Sequence, residues 1–314
     1  KGVIMTNFKK IGLTALAGTL AATAYAQAGS LSVGGTARME YQSNEKTASA
    51  VTTTTDTFSN NGTLTFSGSG ELDNGMTASY YQALFDGSLT SSNAKLDMGD
   101  MGVLAMGDHN HSGIGTISDI VPNGGEQPWD DIGTTHGGHE DGVASPHTGD
   151  RLGYTTAGDI VVSAALDFAP DGNTSSIAIS NSTMVEGLKV VAGIADVQST
   201  ATAEDDLETY GFSYTMGSIS FGAQKTSVDG EVANTDVERD AFGVSFAVNE
   251  NLSIGMGVSD VEYDAKANDE ESTEIGATYT SGGMTVGLQN ITKDNLNGTA
   301  ADHEMTELQL TFAF

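Results

Sequence analysis

The sequence predicts an all-β protein: a transmembrane antiparallel up-and-down β-barrel of about sixteen strands, with one connection much longer than the rest. Three observations predict it. Apolar residues recur at every second position through nearly all of the chain beyond Gly29. The intervening positions hold Gly, Ser, Thr and occasional charges. The connections between the runs alternate between short and long, as in a meander with one plain and one elaborated rim.

Composition bounds the answer before any strand is drawn. The 314 residues include 40 Gly, only 4 Pro and no Cys. Forty-two acids against twelve bases give a formal charge of −30. Such a surface is a poor partner for nucleic acid, because phosphate contacts need clustered bases. Without Cys there are no disulfides, thiolate metal sites or cysteine nucleophiles.

The first segment reads as an address. Lys9 and Lys10 form a positive patch, Ile11 to Ala22 an apolar stretch, and Ala24-Tyr25-Ala26 and Ala26-Gln27-Ala28 two A-x-A cleavage patterns. The stretch falls short of the ~20 apolar residues of a spanning helix. A soluble amphipathic helix is the competing reading, though Thr and Gly dilute any periodic face. Residues 1–28 are therefore expected to be a signal peptide, Lys1 to Ile4 being a short extension upstream of Met5, and residues 29–314 the barrel. Losing residues 1–28 removes Lys1, Lys9 and Lys10 and no acid, which takes the charge to −33.

The first strand is expected near 30–42, with Leu31, Val33, Ala37, Met39 and Tyr41 on one face and Ser32, Gly34, Thr36, Arg38 and Glu40 on the other. Runs follow near 62–72, 76–85, 89–98, 103–108, 150–156, 160–169, 174–183 and 187–197. Further runs lie near 206–216, 218–228, 238–248, 251–263, 272–280, 283–292 and 304–314. The short connections carry turn formers, as in Asp73-Asn74-Gly75 and Ser281-Gly282. The long ones are polar, including 43–61, 109–149, 229–237, 264–271 and 293–303.

A soluble sandwich fills its inner face with bulky apolar side chains. Here one face is small and polar, and the other mixes Leu, Val, Ala and Phe with aromatics near strand ends. That suits a wall with lipid on one side and water on the other. Most runs reach the ~9–11 residues of a membrane strand. Only a closed barrel leaves no unpaired backbone edge in hydrocarbon. The alternative is an exported acidic soluble β-protein of adhesin or surface-layer type, but no fixed-length repeat supports it.

Three stretches carry a resemblance. They are the terminal strand Leu308 to Phe314, the segment Leu96-Asp97-Met98-Gly99-Asp100-Met101-Gly102-Val103-Leu104-Ala105-Met106-Gly107-Asp108, and Gly149-Asp150-Arg151-Leu152-Gly153-Tyr154-Thr155. In this order they resemble the Gram-negative general porins, especially the sixteen-stranded trimeric type of alphaproteobacteria, over the whole mature chain. The resemblance implies an outer-membrane homotrimer that lets small hydrophilic solutes and ions diffuse passively and has no enzymatic activity. It implies that Phe314 is the C-terminal signal read by the barrel-assembly machinery. It also implies that residues 109–149 are the external loop that folds into the lumen as the constriction.

That loop holds five of the six His, the only Trp and three of the four Pro. Loops of this length are functional or disordered. Its acids Asp119, Glu126, Asp130, Asp131, Glu140 and Asp141, with Asp108 at its entrance, are the candidate acidic side of the constriction, and it has no Lys or Arg. Strand parity places Arg38, Lys95 and Arg151 on the opposite, basic wall. The competing reading has Arg38 and Lys95 merely paired with Glu40 and Asp97. Carboxylate rings favour cations, and the acid excess deepens that bias.

No cofactor is expected. His109, His111, His136 and His139 offer nitrogen ligands for a transition metal, and the paired acids offer oxygens for Ca²⁺. The plainer alternatives are a polar loop titrating near neutrality or a pH-responsive eyelet. The acidic runs in the other long connections suggest a solvated rim or divalent-cation bridges to lipopolysaccharide. Catalysis finds no support: the chain has neither a Gly-x-Ser-x-Gly elbow nor a phosphate-binding Gly-x-x-x-x-Gly-Lys loop.

Overall fold

The computed structural model describes residues 29–108, 112–118, 120–125, 127, 150–169, 172–200 and 203–314. The expected signal peptide lies outside the described residues. The strands are β1 (Ser30–Ala48), β2 (Val51–Glu71), β3 (Thr77–Phe85), β4 (Ser88–Asp97), β5 (Val103–Gly107), β6 (Asp150–Thr155), β7 (Ile160–Ala169) and β8 (Gly172–Asn181). They continue as β9 (Leu188–Thr200), β10 (Ala203–Met216), β11 (Ile219–Gly230), β12 (Val237–Ala247), β13 (Leu252–Tyr263), β14 (Glu270–Ser281), β15 (Met284–Asp294) and β16 (Ala301–Ala313). Each pairs antiparallel with its neighbours in sequence, and β1 pairs with β16, so the sheet closes into a sixteen-stranded barrel.

The closing seam runs from Thr36↔Ala313 to Ala48↔Ala301. The Phe314 N–H donates to Gly35 O at 3.0 Å, and Gly35 N–H donates back to Phe314 O at 2.8 Å. Closure removes the sheet edges, so the backbone groups of the spanning region find partners within the wall.

The outward face is apolar through the middle of the wall. Leu31, Val33, Leu166, Phe168, Ile179, Ile194, Phe242, Ile275 and Leu288 all lie there exposed. For a water-soluble protein this belt would be a severe liability; against hydrocarbon it is the stabilising surface.

One expected connection is not a loop. β1 and β2 stay paired through 43–61, up to Ala48↔Val51. The chain reverses at Ser49 and Ala50, both at positive φ (51° and 62°). A two-residue reversal with positive φ at both positions matches the twist of the flanking strands. The run Val51-Thr52-Thr53-Thr54-Thr55 is polar but β-branched, so it favours extended backbone. Polarity is the weaker signal here.

Charges also appear on the outward face, above the apolar belt. Lys225 lies opposite Asp240, and its Nζ contacts Glu238 at 2.8 Å and Asp240 at 3.5 Å. All three side chains are solvent-accessible, so water screens the pair. Lys225→Ala is expected to cost only ~0.2–1 kcal/mol, read as a small shift in the urea midpoint of the barrel in micelles.

Candidate functional site

The loop that follows β5 is described at 112–118, 120–125 and 127. Asp119, Glu126, Asp130, Asp131, Glu140, Asp141, His109, His111, His136 and His139 lie outside the described residues. The described segments lie inside the barrel, against the inner wall. A 3-10 turn at Gly113–Ile117 starts the contact. Gly113 N–H donates to Ser163 Oγ at 2.8 Å, and Ile114 N–H donates to Ser176 Oγ at 3.1 Å. Farther round, Gln224 Nε2 donates to Ile117 O at 3.4 Å. Gly124 N–H donates to Glu274 Oε2 at 3.2 Å, and Thr278 Oγ1 donates to Gly124 O at 3.1 Å. Side chains of β7, β8, β11 and β14 thus hold the loop backbone, which is how a chain segment away from regular structure satisfies its polar groups.

Apolar contact completes the seat. Ile114, Ile117, Ile120 and Val121 form one buried cluster with wall residues including Val191, Ala195, Leu207, Val228 and Ala241. The inner face was expected to be small and polar. Beneath the loop it is instead apolar, because the loop can stay down only by burying surface against it. At ~25 cal/mol per Å² of apolar area, such a cluster outweighs the individual hydrogen bonds.

Glycine makes room for the loop backbone. A Cβ added at Gly243 would collide with Pro122 O. At Gly255 it would stand 2.5 Å from Asn123 O, at Gly276 2.8 Å from the Gly124 carbonyl carbon, and at Gly211 2.7 Å from Ile120 Cδ1. These glycines face inward on β10, β12, β13 and β14, so a channel free of side chains crosses the wall. Sequence reading noted strand glycines but missed this track. Its signal is inward parity repeated on successive strands.

The wall charges divide by partner. Arg38 Nη2 lies 2.5 Å from Glu40 Oε2 and 3.6 Å from Glu307 Oε1; Gln42 Nε2 also donates to Glu307, at 2.8 Å. Arg151 Nε lies 3.1 Å from Asp167 Oδ1. Arg151 faces inward, but at 4% exposure it lies buried beneath Gly113–Ile117 rather than open to solutes. Asp108, at the end of β5, acts electrostatically on it. Lys293 Nζ lies 3.7 Å from Glu270 Oε1 with both side chains buried. Lys95 faces inward on β4, opposite Ser79 and Ala105.

Register also places two bases that parity left open. Lys189 lies opposite Ser213 on the inner face, and Lys225 points outward. Of the nine bases beyond Gly29, seven lie on the inward face of the wall, some of them buried there: Arg38, Lys46, Lys95, Arg151, Lys189, Arg239 and Lys293. The net charge of the chain is therefore not the charge of its lumen. Among the described residues no cluster of three or more His, Asp or Glu side chains is arranged to hold a metal.

A closed wall, apolar outside and charged within, with a loop seated across its lumen, defines a passive transmembrane channel. The chain belongs to the Gram-negative porin family, whose model it matches over residues 12–314. It is thus an outer-membrane porin, through which small solutes diffuse. Solved structures share the fold. An anion-selective porin from Comamonas acidovorans is 14% identical with a TM-score of 0.68, the match covering 91% of this chain and 100% of that one. A triple mutant of Rhodopseudomonas blastica porin is 13% identical with a TM-score of 0.66 over 91% and 100%. OmpT of Vibrio cholerae is 13% identical with a TM-score of 0.63 over 92% and 99%. No curated protein matches the chain by sequence.

Proposed function

We propose that this porin admits small hydrophilic solutes and ions with a preference for cations, and that it works as a homotrimer. One observation carries the preference. Arg38, Arg151 and Lys293 are each held by inner-wall carboxylates, so much of the basic wall is already neutralised. Residues 109–149 then add six acids and no Lys or Arg. An unbalanced carboxylate field at a constriction draws cations.

The test is the reversal potential of the purified protein in a planar bilayer under a KCl gradient. The expected sign is that of K⁺ permeating faster than Cl⁻. The preference should weaken at high salt, because the Debye length falls from ~10 Å at 0.1 M to ~3 Å at 1 M. The opposite reading, anion preference, draws on the seven inward-facing bases; a Cl⁻-selective potential would establish it.

Three further readings belong with this proposal. Residues 1–28 act as the export signal, which N-terminal mass analysis of the mature protein tests. Phe314, exposed at the end of the closing seam, is available to the barrel-assembly machinery. Asp240, Asp260, Glu271 and Asp294 face outward directly opposite one another on four adjacent strands. Like charges so placed repel, which favours divalent cations bridging them to lipopolysaccharide.

A further inference from the structure

Away from the loop, the inner wall of β1–β4 carries a patch of different chemistry. Two rows cross it in register. One runs Ser69–Ser79–Lys95, the other Ser67–Tyr81–Asn93. With strands ~4.8 Å apart and same-face residues ~6.8 Å apart along each strand, the six side chains share one small area. They line a hollow of about 610 Å³ open to the lumen, within the ordinary size range of a small-molecule site. No acidic side chain lines it.

Lys95 is the charge in this hollow. It makes no ion pair and no hydrogen bond with any described residue. The nearest acid along its strand, Asp97, instead accepts the N–H of Gly99 at 2.9 Å. Among the described residues no carboxylate engages its ammonium, unlike the guanidinium groups of Arg38 and Arg151 and the ammonium of Lys293. Around it stand serine hydroxyls that both donate and accept, and the buried Asn93 lines the hollow between them. Tyr81 adds an aromatic ring, exposed at 37%. Aromatic faces take the apolar C–H face of a sugar ring, and hydroxyls and amides take its rim.

We propose that this hollow is a binding subsite for sugar acids: hydroxyl-rich solutes that carry one carboxylate. Lys95 receives the carboxylate, the serines the hydroxyls, and Tyr81 the ring face. The subsite rests on the reading of the chain as a diffusion channel. It would retain such solutes briefly as they cross a lumen whose overall preference is for cations. A plain carboxylate lacks the hydroxyls and a neutral sugar lacks the charge, so each should bind more weakly.

The experiment uses the full-length protein in a planar bilayer in KCl, with glucuronate, glucose and acetate as separate additives. The expected result is a saturable block of the current by glucuronate, at concentrations about tenfold lower than glucose or acetate require. Lys95→Met should weaken the glucuronate block about tenfold and bring it to the level of glucose. Tyr81→Ala should weaken block by glucuronate and glucose alike. Each variant is first shown to run as a heat-modifiable barrel, so misfolding is not mistaken for lost binding. Equal block by glucuronate and acetate, or a glucuronate block unchanged in Lys95→Met, would overturn the proposal. Absence of any KCl current from the folded native barrel would overturn the channel reading instead.

Discussion

Replacing Gly243 with valine is expected to raise the single-channel conductance, because the loop can no longer lie on the wall. Any Cβ at this position collides with Pro122 O, and Val121 Cγ1 stands only 2.8 Å away. The obstacle is backbone and a β-branched side chain, so no flexible side chain can simply swing aside. Either the strand bends outward or the loop lifts. The strand is paired on both sides, through Gly222 and Gly257, whereas the loop is held here by the apolar contacts of Ile120 and Val121, so the loop gives first. Overpacking of this kind costs ~1–3 kcal/mol, enough to detach a local segment without unfolding the barrel.

The control is Gly287→Val. Gly287 also faces inward, on β15, but its nearest heavy atom beyond its chain neighbours is Gln309 Cβ at 3.8 Å. Its conductance should match that of the native protein. Equal conductance for Gly243→Val and the native channel, with both folded, would mean that the loop does not define the narrowest point.

The strands were legible because each carries its own evidence. Leu308, Leu310 and Phe312 alternate with Gln309 and Thr311, and the same parity orders β16 in the closed wall. Turns were legible where Gly or Asn must take positive φ, as at Gly75 and Gly282. The hairpin beyond Tyr41 was not, because a run of threonines reads as a polar loop until its partner strand is known.

The seat of the loop was harder. Whether the inward-facing Leu207 and Val228 meet water or the loop depends on where the loop packs, and alternation carries no such information. Parity turned Arg38, Lys95 and Arg151 inward. It could not tell that Arg38 and Arg151 meet carboxylates while Lys95 meets none among the described residues. Those pairings join residues as far apart as Arg38 and Glu307, which meet only because the last strand closes on the first.

The largest stability effect is expected at Arg151. Arg151→Met leaves Asp167 only 2% exposed and without its charge partner, beneath the start of the loop. Stranding a buried charge costs ~3–5 kcal/mol, read as a lowered guanidinium midpoint of the barrel in micelles. Asp108, which also acts on Arg151, loses the same counter-charge. The double variant Arg151→Met with Asp167→Leu should recover most of the loss, because a buried ion pair replaced by apolar groups of similar size is often neutral or stabilising. The damage should also reach the channel. Ser163, which holds Gly113 N–H, lies on β7 four residues before Asp167 and on the same inner face. A disturbed β6–β7 wall therefore loosens the first anchor of the loop, and the single variant should show a noisier open-channel current. A cost below ~1 kcal/mol would mark the pair as solvated, and Arg151 would then belong to the water-filled lumen rather than to the wall that supports the loop.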